Sequence, residues 1–167
     1  ITEGLVGSEM CIRDRVSVIA AKEALKNANL EAKDIDAVIV SAANLQRAYP
    51  AIAIEVQEEL GIEGFAYDMM VGCSASTFGI SNACSDIVSG KASKVLVISP
   101  ELTSGHNNFK NRDGHFIFGD ICTAVVIESD SKSRNKFKII NTKLKTKFSN
   151  NIRNNYGYMN AIENKEY

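Results

Sequence analysis

The period of the apolar positions changes several times along this chain, and each change marks an element. Val16 to Asn29 is spaced as an amphipathic helix, with Ile19, Leu25 and Ala28 near one face. The polar stretch Asn29 to Asp34 connects it to Ala37-Val38-Ile39-Val40-Ser41-Ala42, a continuous apolar run expected to be a strand covered on both faces. Pro50 is expected to open a second helix that runs to about Leu60 and is stopped by Gly61. Phe65 to Met70 is a strand, Ser74 to Ser89 a third helix, and Lys94 to Ser99 another buried strand. Cys122 to Glu128 gives one more strand, and alternation over Phe137 to Lys147 predicts a further one. The charged stretch Asp130 to Lys136 reads as a solvated loop. Helices set between buried strands imply a layered α/β fold with a mixed, largely parallel sheet.

Composition narrows the choices. The 167 residues are 45% hydrophobic and 23% charged, ordinary for a globular domain with a real core. A net charge of −1 leaves no electrostatic footprint for nucleic acid or a membrane surface. No apolar run has the length of a membrane span, and nothing at the start reads as a secretory signal. The four cysteines, Cys11, Cys73, Cys84 and Cys122, lack the close pairs of a zinc site. They are expected to be reduced thiols in a cytoplasmic protein, with no metal. Residues 1–15 have no clear period and resemble translated adaptor, so they are expected not to be native protein. Residues 16–160 are then the domain, and 161–167 a truncated end.

Candidate chemistry concentrates at Cys73. The chain passes from the strand Phe65 to Met70, through a turn at Val71 and Gly72, into a helix. Cys73 is thereby placed at a helix N-terminus, where unpaired N–H groups and the helix dipole favour a thiolate. Such an elbow can present a nucleophile; the alternative is a buried structural cysteine. Cys84 follows eleven residues later, about three turns along the helix, and reads as a core residue.

Three blocks in order carry a family resemblance: Gly72-Cys73-Ser74-Ala75-Ser76, Leu96-Val97-Ile98-Ser99-Pro100-Glu101 and Phe118-Gly119-Asp120-Ile121-Cys122-Thr123-Ala124-Val125-Val126. Over about residues 16 to 160 the chain resembles the N-terminal half of a β-ketoacyl-acyl-carrier-protein synthase III, a thiolase-fold condensing enzyme. Asn44 to Pro50, Gly105 to Asp113 and Phe148 to Gly157 are similar to the subgroup of β-ketodecanoyl-carrier-protein synthases. Other condensing enzymes, of alkylquinolone or hydroxymethylglutaryl-CoA type, and a non-catalytic thiolase-fold piece remain alternatives.

The resemblance implies a thiolase-like αβαβα fold of which half is present. It implies an acyltransferase of fatty acid biosynthesis in which Cys73 takes an acyl group from acyl-CoA, octanoyl-CoA in the subgroup. Malonyl on acyl carrier protein then condenses with it, with no cofactor, in a homodimer. It assigns Arg112 to the CoA phosphates and adenine, against an ordinary solvated arginine. It assigns Tyr49 to the acyl pocket across the dimer interface, against simple packing. Arg13 resembles another CoA-contacting arginine, but it lies within 1–15 and is not counted. Gly119 is expected to permit close backbone approach and Asp120 to hold a turn. The family's catalytic His and Asn have no counterpart here. His106 and His115 both precede the Phe118-Gly119-Asp120 block, and Asn150, Asn151, Asn154 and Asn155 come too early. The 167 residues alone are therefore expected not to catalyse condensation.

Overall fold

The computed structural model describes residues 12–45, 47–104, 110, 112, 115–129 and 137–151. Among them, four strands form one sheet in the order β2-β1-β3-β4. The strands are β1 (Ala37–Ala42), β2 (Phe65–Met70), β3 (Lys94–Glu101) and β4 (Ile121–Glu128). β1 runs parallel to β2 and β3, with Ala42 opposite Met70 and Val40 opposite Ile98. β4 is antiparallel to β3, with Ile121 opposite Glu101. The helices are α1 (Ile12–Ala28), α2 (Ile52–Leu60) and α3 (Ala75–Val88).

The two apolar runs sit where their composition requires. All six residues of β1 are buried, as is the interior of β3, because helices cover both faces of these central strands. On one face Val38, Val40, Leu96 and Ile98 pack with Val18, Ala21 and Leu25 of α1 and Ile52, Ala53 and Val56 of α2. Full burial of aliphatic side chains of this size stabilises by about 1.5–3 kcal/mol each. On the other face Ile39, Val95 and Val97 pack with Ala83 of α3.

α3 lies close to the sheet because its inner face is made of small residues. Ala75, Gly79 and Ala83 are its buried positions. A Cβ on Gly79 would stand 2.9 Å from Val97 Cγ1 and 3.0 Å from Ser41 Cβ. This glycine is present for proximity, since nothing about a helical φ requires it.

The helix ends divide into local and distant devices. α2 stops as expected at Gly61, which takes φ +66° and closes the last turn through its N–H to Gln57 and Glu58. Its start is Ile52 rather than Pro50, and Ala51, at the N-cap, has no side chain that can cap. The missing acceptor comes from β2. Asp68 Oδ2 accepts the Ile52 N–H and Oδ1 the Ala53 N–H, both at 2.8 Å.

Two expectations are corrected. α1 begins at Ile12, and its buried face is Arg13, Asp14, Ser17, Val18, Ala21 and Leu25; Ile19 is 61% exposed and Ala28 half-buried. The buried stripe follows the contacts with β3, β4 and α2, to which Ile19 does not point. The stretch 137–147 is an exposed coil without a ladder, and Phe137 is 95% exposed. Alternation chooses the face of a strand but supplies no neighbour for it to pair with. Residues 1–11, 130–136 and 152–167, including Cys11 and Asn154 and Asn155, lie outside the described residues.

The close approach of α3 generates a prediction. Gly79→Val should destabilise the fold by about 1–3 kcal/mol, the usual cost of overpacking. Urea denaturation followed by circular dichroism measures it. A midpoint equal to that of the parent protein would show that α3 has room to move outward.

Candidate functional site

Gly72 makes the corner that presents Cys73. Where β2 ends, the Val71 N–H donates to Ala42 O at 3.2 Å, holding the exit of β2 against β1. Gly72 then takes φ +59°, a conformation that L side chains rarely adopt. One 3₁₀ turn, Gly72–Ser74, carries Cys73 and leads directly into α3 at Ala75. Cys73 is exposed. The expectation of a thiol at a strand-to-helix elbow is met, and the alternative of burial is not.

Two hydroxyl groups pin this end of α3 to the central strands. Ser41 Oγ of β1 donates to Ala75 O at 2.6 Å, and Ser76 Oγ lies 2.7 Å from Ser99 Oγ of β3. Ser41 is fully buried, so its hydroxyl depends on this partner. The elbow is therefore fixed from both sides of the β1–β3 pair.

Three connections leave the carboxyl edge of the parallel strands. After β2 comes the elbow with Cys73. After β1 comes residues 43–51, with Tyr49 85% exposed. After β3 comes residues 102–120, with Arg112 on an exposed turn. Open α/β sheets bind ligands outside this edge. The topology thus gathers Cys73, Tyr49 and Arg112 on one side of the sheet.

Each of these connections is tied at its base. The Ala43 N–H donates to Glu101 Oε1 at 2.5 Å. Burial raises the Glu101 carboxyl above its ordinary range, with the Ala43 N–H and the Arg13 charge opposing. Arg47 Nε donates to Pro50 O at 3.0 Å, and its Nη2 lies 2.5 Å from Glu55 Oε2. Arg47 also reaches Asp14 Oδ2 at 3.2 Å. The Glu55 carboxyl is raised, by burial first and by neighbouring Asp14 next. Arg13, in the segment expected to be foreign, is buried and donates to Asn44 O, to Asn44 Oδ1 at 2.8 Å and to Leu102 O at 3.2 Å. Desolvation lowers its pKa, with Glu101 and Asp14 opposing.

At the third connection Asp120 holds the turn, as expected. Its Oδ1 accepts the Ser104 N–H at 2.9 Å and its Oδ2 the Ser104 hydroxyl at 2.6 Å. The hydroxyl bond is the main reason its carboxyl lies below the ordinary range. Gly119 differs from expectation: a Cβ there would meet nothing within 4 Å, so no close approach requires it.

His115 is exposed, edge-on to Phe116 with ring centroids 5.5 Å apart. His106 lies outside the described residues. Asn150 and Asn151 are exposed on the terminal coil. Burial pushes the Cys122 thiol up to about 11 and raises that of Cys84, so both are poor nucleophiles at neutral pH. Among the described residues no cluster has the makings of a metal site, and no helix is long and apolar enough to cross a membrane. A cavity of about 430 Å³ lies at the opposite end of α3 from Cys73, between Cys84, Ile87, Val88, the end of β4 and the coil 137–142. It contains no candidate residue.

Sequence reasoning missed Asp68, Glu101 and Ser41, which bond to backbone, and Ser99, which meets the Ser76 hydroxyl, all across long separations. Asp68 had one signal, a lone carboxylate inside an apolar strand beside the cysteine.

The chain is similar in sequence and in fold to known proteins. Residues 67–147 match the family model of 3-oxoacyl-[acyl-carrier-protein (ACP)] synthase III. The chain is 54% identical over 157 residues to a β-ketodecanoyl-[acyl-carrier-protein] synthase of Pseudomonas aeruginosa, covering 93% of this chain and 45% of that protein. It is 40% identical over 115 residues to a β-ketoacyl-[acyl-carrier-protein] synthase III of Dinoroseobacter shibae, covering 68% of this chain and 36% of that protein. The crystal structure of 3-oxoacyl-[acyl-carrier-protein] synthase III from Aquifex aeolicus superposes with a TM-score of 0.69 at 33% identity, over 75% of this chain and 41% of that one. The chain thus spans less than half the length of these relatives, and its sheet and helices are part of a thiolase-like fold. Residues 67–147 thus match the 3-oxoacyl-[acyl-carrier-protein] synthase III family, and the chain is similar in sequence and in fold to part of these synthases.

Proposed function

We propose that the full-length protein is an acyltransferase of fatty acid biosynthesis, a condensing enzyme whose nucleophile is Cys73. The observation that carries this reading is an exposed thiol one turn ahead of α3, at a corner that Gly72 makes and Ser41 and Ser99 hold. The Cys73 thiolate attacks the carbonyl of an acyl-CoA thioester, and the C–S bond to CoA breaks. CoA leaves as a thiolate and takes up the proton. Backbone N–H groups at the helix end can donate to the oxyanion formed on the way. Malonyl on acyl carrier protein then loses CO₂, and its carbanion attacks the acyl-cysteine carbonyl. A C–C bond forms, the Cys73 thiolate departs, and β-ketoacyl-carrier protein remains. No atom changes its oxidation state through an external acceptor, so the chemistry calls for no redox cofactor. Decarboxylation needs donors toward the enolate.

The primer is a medium-chain acyl-CoA, with octanoyl-CoA the first choice. Supporting this is the 54% identity to a protein named for a ten-carbon β-ketoacyl product, two carbons longer than octanoyl. Tyr49 lines the acyl chain at the interface of a homodimer, and its 85% exposure in a single chain suits that role. Arg112 meets the CoA nucleotide; its exposed turn at the carboxyl edge and the affinity of guanidinium for phosphate support this. The cytoplasm is the compartment, consistent with three free thiols among the described residues.

Two experiments test the reading. Incubating the full-length protein with octanoyl-CoA should add one octanoyl mass to the peptide that holds Cys73, faster than acetyl-CoA adds an acetyl, and Cys73→Ser should abolish the addition. Labelling on Cys84 or Cys122 in its place would refute the nucleophile. Arg112→Ala should raise KM for octanoyl-CoA by roughly 3–10-fold, the loss of one charge-assisted contact of about 1 kcal/mol. The rate with octanoyl-N-acetylcysteamine, which has no nucleotide, should not change. Equal losses with both donors would remove Arg112 from the nucleotide site.

A further inference from the structure

Residues 47–53 are held by two devices that do not belong to the same element. Asp68 reaches out of β2 and accepts the first two N–H groups of α2, at Ile52 and Ala53, with one carboxylate oxygen each at 2.8 Å. Arg47 closes the other side, from its Nε to Pro50 O at 3.0 Å and from its Nη2 to Glu55 Oε2 at 2.5 Å. Tyr49 lies between the two attachments.

The origin of the cap matters more than its presence. A helix N-terminus is ordinarily capped by the side chain at its own N-cap position. Here that residue is Ala51, with extended φ −63° and ψ 143°, the geometry in which Ser or Asp would cap. A local residue would cap α2 equally well without adding a bond between α2 and β2. Asp68 instead fastens α2 to the strand that ends at Met70, three residues before Cys73. Its carboxylate is partly withdrawn from water. Burial raises its pKa, while the two N–H groups and Arg47 oppose the shift. A partly buried carboxylate is an expensive cap where an alcohol at position 51 would serve.

We infer that Asp68 is a positioning residue, which fixes the Tyr49 segment relative to Cys73 and so sets which acyl chains reach the thiol. This rests on the proposed reading of Cys73 and Tyr49. The mechanism is geometric. Asp68 touches neither thiol nor substrate; it joins the connection after β1 to the connection after β2, and both leave the carboxyl edge of the sheet. With the tether cut, residues 47–51 remain attached through Arg47 but are no longer referenced to β2, and a pocket bounded by Tyr49 loses its fixed depth.

The test separates tethering from simple helix capping. In the full-length protein, Asp68→Ala should raise KM for acylation of Cys73 by octanoyl-CoA about tenfold and flatten the preference for octanoyl over acetyl. Ten-fold corresponds to about 1.4 kcal/mol, just under what one hydrogen bond to a charged group contributes. The rate of Cys73 alkylation by iodoacetamide should stay within about twofold, since the elbow keeps Gly72, Ser41 and Ser99. Asp68→Asn, with one acceptor oxygen, should fall between. The decisive variant is Asp68→Ala combined with Ala51→Asp, which supplies α2 with a local cap and also protects against failure to fold. It should recover the thermal midpoint while KM stays raised and the chain-length preference stays flat. Recovery of KM together with stability would overturn the tether and leave Asp68 as a helix cap. Unchanged KM in Asp68→Ala, with wild-type acylation intact, would overturn the tether alone. A wild-type protein that octanoyl-CoA does not acylate at Cys73 would overturn this inference and the reading on which it rests.

Discussion

The closeness of α3 to the central strands governs everything at the elbow. Gly79 has no room for a Cβ between Val97 and Ser41, and Ala75 and Ala83 continue the same small-residue face. Only at this separation can Ser41 on β1 reach the Ala75 carbonyl and Ser76 meet Ser99 on β3. A larger residue at 79 would lift the helix and stretch both bonds, and the turn that carries Cys73 would move with it. The position of the thiol is thus set by packing a full turn deeper in the helix. That is the general condition for a precise site, in which rigid elements hold the group and loops adapt around it.

Much of this was legible in the chain, and the limits have a physical pattern. β1 and β3 announced themselves because burial on both faces keeps Val, Ile and Leu uninterrupted up to Ser41 and Ser99. α2 ended at Gly61 because a left-handed residue there is a local requirement with a local signature. The elbow was legible for the same reason: a strand, a glycine and a run of small residues follow one another without a gap. Interactions between distant residues left little trace. Asp68 and Ile52 are sixteen positions apart, and Glu101 and Ala43 fifty-eight. Neither pair has a motif, because their geometry is made by the sheet. α1 misled for a related reason. Ile19 is strongly apolar, yet the face against the sheet is chosen by contacts with β3, β4 and α2, which favour Val18 and Ala21. The stretch 137–147 has a strand's alternation and no partner.

The half-buried acids Asp68 and Glu101 show what the carboxyl edge asks of its side chains. Asp68 accepts with both oxygens from the first N–H groups of α2, and Glu101 accepts with Oε1 from Ala43, at the two ends of the connection that leaves β1. In both, desolvation outweighs these bonds and raises the carboxyl pKa. The sign follows from linkage: an acid whose folded pKa is raised contributes stability that is present below its unfolded value and lost as pH rises through the folded one. At neutral pH both therefore carry a net desolvation penalty in the ionised form. They are poor choices for stability alone. Asp120, exposed and bonded to Ser104, has the opposite sign and favours the folded state once ionised.

That contrast bears on why the site has its form. Where a carboxylate can stay in water and still hold a turn, as Asp120 does, fastening a loop and stabilising the fold are the same act. Asp68 and Glu101 hold positions that lie between elements, where the acceptor must come from a neighbouring strand and the strands themselves keep part of the carboxylate from water. The energy they forgo secures an orientation between β1, β2 and β3 at the edge from which Cys73, Tyr49 and Arg112 emerge. A fold that needed only to be stable would have placed a serine at 51 and an apolar residue at 68. The residues present instead connect the segment ahead of α2 to the strand that delivers the thiol, so that the geometry of the site is carried by the sheet and not left to the loops.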